Sequence, residues 1–426
     1  MRVWLSPLRR HRVVRASAAA IFLYGFSGAA TSPYQSVIGI RELDLSDREY
    51  ALIALAASIA NVVLAIAIGL LSDRFNSYRR PLIVVAAFGV VGYGLIWVWP
   101  SPVVFALSTV GPLALFHATN SMLFGNVRAQ SAAFSPEEAG IVNALMRMMI
   151  SLSWVLVPGV VGLMLVGQPS MMGAYLIAAV IAGACLLTVI FWMEPDAPPA
   201  DSTPPTGDCE GGTGTARVAP TTGRTDRPAQ VRLAPPSFGD LGQVLAPSIL
   251  WRILGVALIS QVLHVNSAVL PLIVTGQAGG KAEQIGFIMG MVAGLEVVFM
   301  FFWTWALRFV SLTRALLITS ALYLVYLAAI AASGAVWQIY AASLVAGFAA
   351  AGIISLPISY LLDLIRDRPG LSASLIAVNM FLGGSIGAAV FGLGTSVGGY
   401  PAAALLSGVA GVLGAVLLVV QERKPE

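Results

Sequence analysis

The feature that most constrains this chain is a series of twelve apolar stretches, each long enough to cross a lipid bilayer as a helix. They lie near residues 14–38, 49–72, 81–99, 102–126, 139–166, 170–193, 247–275, 284–307, 312–333, 335–362, 369–397 and 399–420. Only 10% of the residues are charged, whereas soluble domains carry about a quarter. This composition excludes an ordinary soluble enzyme and predicts an all-α membrane protein with twelve transmembrane helices.

One long polar stretch, residues 195–240, separates the sixth apolar stretch from the seventh. It holds nine prolines, six glycines and seven threonines, without apolar periodicity. Such a composition cannot bury enough apolar surface to fold, so we predict a disordered cytoplasmic linker. The chain then divides into an N-terminal six-helix half, residues 1–194, and a C-terminal six-helix half, residues 241–426.

The distribution of basic residues predicts the orientation of these helices. With the N-terminus in the cytoplasm, 20 of the 24 Lys and Arg residues fall in cytoplasmic loops, the linker or the tails. Arg41, Arg48 and Lys281 fall outside, and Arg147 lies within a span. This excess on one side matches the positive-inside rule. We therefore expect a multi-pass protein of the cell's inner membrane with both termini in the cytoplasm.

The two halves also align weakly with each other. An offset of 235 residues places Arg79 opposite Arg314 and Asn61 opposite Glu296. Parallel repeats of six helices are typical of secondary transporters, which bind their substrate near the bilayer midplane between the repeats. The second pairing indicates that one half contributes a neutral group where the other contributes a charge.

Between the second and third stretches runs the segment Gly-Leu-Leu-Ser-Asp-Arg-Phe-Asn-Ser-Tyr-Arg-Arg, residues 69–80. It resembles the loop motif of the major facilitator superfamily, which latches the two halves and governs alternating access. The resemblance implies a conformational latch formed by Gly69, Asp73, Arg74 and Arg79. Asn76 stands where the family usually has glycine, and asparagine tolerates the same left-handed turn. A merely basic cytoplasmic loop is the simpler interpretation.

Glu296 is the only acidic residue deep in any apolar stretch, and Arg147 is the only comparably deep base. A charge near the bilayer centre costs about 2.5–3.5 kcal/mol on insertion scales, so it should face the protein interior. Burial disfavours an ionised carboxylate, and a glutamate exposed to each side in turn can carry a proton. We predict that Glu296 and Arg147 take part in proton coupling, or that the site forms a hydrogen bond to a polyol. A structural ion pair between them is the alternative.

Further polar side chains occur within stretches that should line a central cavity. The candidate substrate-binding residues are Tyr24, Asn61, His117, Asn120, Trp154, Gln261, His264, Asn266 and Asn379. Gln261 and His264 are three residues apart and share a helix face, as do His117 and Asn120. Amides and imidazoles supply donors and acceptors suited to the hydroxyls of a sugar. Hydrogen bonding between helices would explain any one of them as well.

Two longer segments resemble the sugar efflux transporters, a branch of the major facilitator superfamily. Residues 145–158 carry Arg147, Ser151, Leu152, Trp154 and Pro158 at the family's positions, and residues 286–296 end in the distinctive run Ala-Gly-Leu-Glu. The resemblance covers most of both halves except the linker. It implies the major facilitator fold and a secondary transporter that exports lactose- or glucose-like glycosides by proton antiport.

A drug or other small-solute exporter on the same fold is the alternative function, and an importer or a substrate-sensing receptor is a further one. Val157-Pro158-Gly159 departs from the Gly-Pro pair that drug antiporters and many sugar exporters carry, which weakens the drug antiporter alternative without removing it. No nucleophile–base pair or phosphate-binding loop indicates an enzyme or an ATP-driven pump. Two cysteines and three scattered histidines predict no metal site or cofactor, and the small net charge of +4 predicts no nucleic-acid partner. We expect a monomer whose partners are its substrate, protons and the lipid bilayer.

Overall fold

A computed structural model of the chain describes residues 11–75, 79–130, 136–193, 247–364 and 369–422. Within these ranges the chain forms helices and short connections, and no β-strand. The predicted linker 195–240 lies outside the described residues.

Twelve membrane helices account for almost all of the described chain, six on each side of residues 194–246. In the first half they are α1 (Arg12–Thr31), α2 (Asp47–Phe75), α3 (Arg79–Val98), α4 (Pro102–Val110 and Pro112–Gln130), α5 (Pro136–Met164) and α6 (Gly173–Phe191). In the second half they are α7 (Pro247–Thr275), α8 (Ala282–Ala306), α9 (Leu312–Ala331), α10 (Val336–Leu364), α11 (369–397) and α12 (400–422). This architecture confirms the predicted all-α fold of two six-helix halves.

The first helix ends earlier than its apolar stretch. The sequence predicts a span up to residue 38, whereas α1 stops at Thr31. Pro33 follows, and proline lacks the N–H that would continue the helical hydrogen bonds. The chain then makes a short helix at Gln35–Val37 and a π turn at Ile38–Glu42.

Two other breaks occur at glycines. Gly111 interrupts α4, and Pro112 starts its second segment, where a missing N–H costs nothing. Gly398 and Gly399 separate α11 from α12, and Gly399 has a φ of 71°, a left-handed conformation that glycine adopts without strain. The sequence predicts this last break but not the one at Gly111.

The two halves meet along two pairs of helices, α5 with α8 and α2 with α11. Glycines permit the close approach of the first pair. A Cβ on Gly290 would lie 3.0 Å from the carbonyl oxygen of Val155, and a Cβ on Gly286 would collide with that of Pro158. Small residues at helix crossings let backbones pack closely within a membrane, where lipid is as apolar as the side chains.

Polar contacts also join the halves at one end of the bundle, which we call the distal end. It holds the connections that follow odd-numbered helices, and the first and last described residues, His11 and Glu422, lie at the opposite, proximal end. Arg41 donates to the hydroxyl of Thr275 at 2.7 Å and to the carbonyl oxygen of Leu272 at 2.8 Å. Tyr400 donates to a carboxylate oxygen of Asp47 at 3.1 Å. Both contacts run between a residue of the first half and one of the second.

Candidate functional site

Two adjoining cavities lie between the halves. The first, of about 350 Å³, is bounded by α1, α2, α4, α5, α7 and α11, and Gln35 also lines it. The second, of about 440 Å³, is bounded chiefly by α5, α7 and α8. Ser32, Trp154, His264 and Ser267 line both cavities, so Trp154 and His264 mark the boundary between them.

Two prolines add hydrogen-bond acceptors to this boundary. Pro158 lies within α5 four residues after Trp154, and Pro271 lies within α7 four residues after Ser267. Because proline has no N–H, the carbonyls of Trp154 and Ser267 receive no helical hydrogen bond from it. Ser267 is missing from the predicted site, although its position three residues after His264 could have indicated it.

His117 lines the first cavity and is held by Tyr24. The hydroxyl of Tyr24 lies 3.1 Å from Nδ1 of His117, and Tyr24 lines neither cavity. The neighbouring Phe116 is fully buried, with its ring 5.2 Å from that of Tyr24 and 5.8 Å from that of Tyr93. Burial of Phe116 in the core of the first half leaves the next side chain, His117, facing the cavity.

The two asparagines predicted in the first half occupy different surroundings. Asn61 of α2 lines the first cavity. Asn120 of α4 lines neither cavity, and its carbonyl oxygen is buried without a partner among the described residues. The two residues are of the same type, but only Asn61 faces a cavity.

His264 exposes its ring to both cavities. Its Nδ1 lies 3.3 Å from the backbone carbonyl oxygen of Ser260, one turn earlier in α7. On α11, a Cβ added to Gly383 would lie 3.6 Å from Cε1 of His264, and one on Gly384 would lie 3.7 Å from Cδ2. A side chain at either position would therefore contact the imidazole, and the two glycines leave that space open.

Asn266 lines the second cavity with its amide already oriented. The hydroxyl of Tyr326 on α9 donates to Oδ1 of Asn266 at 3.0 Å, and both residues are buried. Since the carbonyl oxygen of the amide is engaged, its NH₂ group is left as the donor for a ligand.

The remaining predicted amides bond to neighbouring helices. Gln261 donates to the carbonyl oxygen of Ser407 at 2.8 Å and accepts from the hydroxyl of the same serine at 3.1 Å. Asn379 donates to the hydroxyl of Ser260 at 3.0 Å. Neither Gln261 nor Asn379 lines the two cavities, and both contacts match hydrogen bonding between helices.

Glu296 lines the second cavity beside Tyr323, Met289 and Met300. It is half-buried, and it makes no hydrogen bond or ion pair with any residue in the described part of the chain. Arg147 is exposed on α5, lines neither cavity and forms no ion pair with Glu296. The carboxylate of Glu296 thus faces a cavity surrounded by neutral groups.

The latch residues lie at the proximal end. Gly69, Asp73 and Arg74 belong to the last turns of α2, and their side chains are outside the described part. Arg79 begins α3 and donates to the carbonyl oxygen of Ile190 near the end of α6 at 2.6 Å.

Comparison with solved structures places this fold among known transporters. The chain superposes on a variant of the nucleoside transporter NupG with a TM-score of 0.71 and 12% identity, covering 96% of this chain and all of that one. It superposes on the peptide transporter POT with a TM-score of 0.70 and 12% identity, covering 96% of this chain and 94% of that one. At these identities the likeness shows the fold alone.

Sequence comparison shows the family. A protein of Deinococcus radiodurans named as a sugar efflux transporter is 24% identical over 412 residues, which cover 96% of this chain and 97% of that protein. The sequence profile of the Major Facilitator Superfamily matches residues 17–277, more than half of the chain. Together with twelve helices in two halves around a central cavity, this match shows that the chain is a membrane transporter that belongs to the Major Facilitator Superfamily.

Proposed function

We propose that this transporter exports sugars, of the class of lactose and glucose-like glycosides, across the cell's inner membrane by proton antiport. Three observations support this proposal. The relative from Deinococcus radiodurans is named for sugar efflux. The first cavity is lined by Asn61, His117 and His264, whose amide and imidazole groups can form hydrogen bonds with a sugar. The second cavity holds the carboxylate of Glu296.

The unpaired carboxylate of Glu296 carries the proposal of proton coupling. A buried ion without a partner is costly, and a carboxylate relieves that cost by taking up a proton. The adjoining cavities share Trp154 and His264, so a substrate that fills both brings its own atoms close to Glu296. Substrate occupancy and protonation would then compete, and each exported sugar would be exchanged for an entering proton.

The orientation follows from the basic residues. With the proximal end in the cytoplasm, both termini, residues 195–240 and most of the arginines lie on that side. The halves would be residues 1–194 and 241–426, acting together as a monomer because the site lies between them. Gly69, Asp73, Arg74 and Arg79 would latch the proximal end during alternating access. The bond from Arg79 to Ile190 supports a role for that arginine in holding α3 against α6.

Export of drug-like solutes is the second candidate function. The second cavity is lined by apolar side chains, including Trp154, Met289, Val292 and Met300. Apolar and aromatic walls with few polar groups are typical of sites for drug-sized ligands. A substrate that used this cavity alone would need little hydrogen bonding.

Transport by the purified protein in sealed proteoliposomes tests the proposal. We expect radiolabelled lactose or methyl glucoside to move against its own gradient when a pH gradient is imposed, and only to equilibrate without one. Sugar transport at a rate that does not depend on the pH gradient contradicts proton antiport. Absence of sugar movement in vesicles that transport a cationic dye would favour the drug exporter.

A further inference from the structure

We infer that the two cavity histidines present opposite hydrogen-bond polarity, His117 as a donor and His264 as an acceptor, and thereby select ligands that carry hydroxyl groups. Both side chains line the first cavity, one from each half. The inference rests on the proposed function for the ligand, a neutral polyol. It also makes Tyr24 a positioning residue that acts through His117.

The polarity of His264 follows from its partner. Nδ1 faces the backbone carbonyl oxygen of Ser260, which can only accept a hydrogen bond. Nδ1 therefore carries the proton, and in the neutral ring Nε2 keeps a free lone pair. Gly383 and Gly384 of α11 leave space beside the ring, and His264 lines the first cavity, where this lone pair is available to a ligand.

The polarity of His117 is the reverse. Its Nδ1 faces the hydroxyl of Tyr24, which has no other hydrogen-bond partner among the described residues. A phenol donates more strongly than a neutral imidazole N–H, and an imidazole nitrogen accepts more strongly than a phenol oxygen. The hydroxyl therefore donates to Nδ1, and the single ring proton of neutral His117 lies on Nε2, the nitrogen left for the cavity.

This pair of groups distinguishes classes of ligand. A hydroxyl both donates and accepts, so the hydroxyls of a polyol can pair with His117 and with His264. An ether or a carboxylate can only accept and leaves Nε2 of His264 unpaired. An ammonium group can only donate and leaves Nε2–H of His117 unpaired. Because an unpaired buried polar group lowers affinity, the two histidines favour neutral polyols over both alternatives.

Nuclear magnetic resonance of the full-length protein tests the polarity without any substrate. The chain has three histidines, His11, His117 and His264, so ¹⁵N-histidine labelling in lipid nanodiscs gives three ring spectra, assigned with His117→Gln and His264→Gln. At a pH where the rings are neutral, we expect the Nε2–H tautomer for His117 and the Nδ1–H tautomer for His264. The same tautomer on both rings, or the reverse assignment, would overturn the inference.

The variant Tyr24→Phe tests the positioning role. It keeps the aromatic ring and removes only the hydroxyl, so His117 should change to a mixture of tautomers while His264 stays unchanged. Tyr360→Phe, at a residue of α10 that lines neither cavity, should alter neither spectrum. An unchanged His117 spectrum in Tyr24→Phe would rule out positioning by that hydroxyl.

Substrate analogues test whether the hydrogen-bond polarity of the two histidines selects the ligand. In methyl glucosides with one hydroxyl replaced by fluorine, the fluorine cannot donate to His264. At the sugar position facing His264 we expect binding to weaken about 5- to 10-fold in the wild type and to be unaffected by the replacement in His264→Phe. A fluorine penalty that persists in His264→Phe contradicts the inference. If no sugar binds at all, the proposed function fails, while the tautomers still decide the polarity.

Discussion

The two sides of the cavities differ in charge although they come from repeated halves. We call the residues Asn61, His117 and Trp154 the N-wall, and His264, Asn266 and Glu296 the C-wall. The N-wall is neutral, whereas the C-wall carries a carboxylate on α8, the counterpart of α2. In the proposed mechanism, both six-helix halves therefore bind the ligand while the proton-titrating group lies on one of them.

The walls also differ in how their amides are held. Asn266 of the C-wall accepts from Tyr326, a buried residue on the neighbouring helix α9. Asn61 of the N-wall makes no hydrogen bond among the described residues. A pre-oriented amide loses less freedom on binding than a mobile one. We therefore expect the C-wall to fix the ligand's orientation and the N-wall to adapt to it.

Removing the negative charge of the C-wall should have the largest effect on transport. Glu296→Gln should abolish gradient-driven efflux and leave equilibrium exchange measurable, because the variant binds sugar but exchanges no proton. Glu283→Gln, on the same helix near the distal end, should behave like the wild type. Continued uphill efflux by Glu296→Gln in proteoliposomes would show that the coupling group lies elsewhere. Recovery of coupling in Asn61→Asp/Glu296→Gln would mean that either wall can carry the charge.

Removing the hydrogen bond that orients the amide of Asn266 should have a smaller effect. Tyr326→Phe removes the hydroxyl that orients Asn266, so KM for sugar should rise about 5- to 10-fold, the loss expected for one buried hydrogen bond. The maximal rate should change little because the carboxylate is retained. Tyr360→Phe is the matched control. If KM in Tyr326→Phe equals that of the control, orientation of Asn266 does not contribute to binding.

Weakening the distal contact between the two halves should shift the conformational equilibrium. Arg41→Gln removes the charged bonds to Thr275 and Leu272, which we expect to raise the distal-open population about fivefold. The readout is modification of a cysteine at Ser32 by a membrane-impermeant thiol reagent, in a background lacking native cysteines. Arg48→Gln, also on the distal side, serves as the control. Equal labelling rates in both variants would show that the contacts of Arg41 do not hold the distal end closed.

Asp73→Asn should have the smallest effect and should act on both walls alike. If residues 69–80 form a latch, transport should slow about two- to fivefold, as for loss of an exposed ion pair. The ratio of rates for lactose and methyl glucoside should stay constant, since the segment lies away from both cavities. A changed ratio would place Asp73 in substrate selection and contradict the latch.

The sequence by itself determined the fold and the depth of its ionisable groups. Apolar stretches of bilayer length allow only membrane helices, because backbone groups in lipid must bond within their own segment. A carboxylate as deep as Glu296 must turn away from lipid whatever its neighbours are, so its exposure to the interior follows from solvation cost alone. The breaks at Pro33 and Gly111 were missed because hydropathy does not register local backbone geometry.

Only the tertiary structure decided which polar side chains face the cavity. His117 and Asn120 share a helix face, yet His117 lines the cavity and Asn120 does not. Gln261 turns to Ser407, and Glu296 does not pair with Arg147 among the described residues. A polar residue in a membrane helix avoids lipid equally well beside a cavity or against another helix. The rotation and packing of neighbouring helices settle that choice, and hydropathy does not encode them.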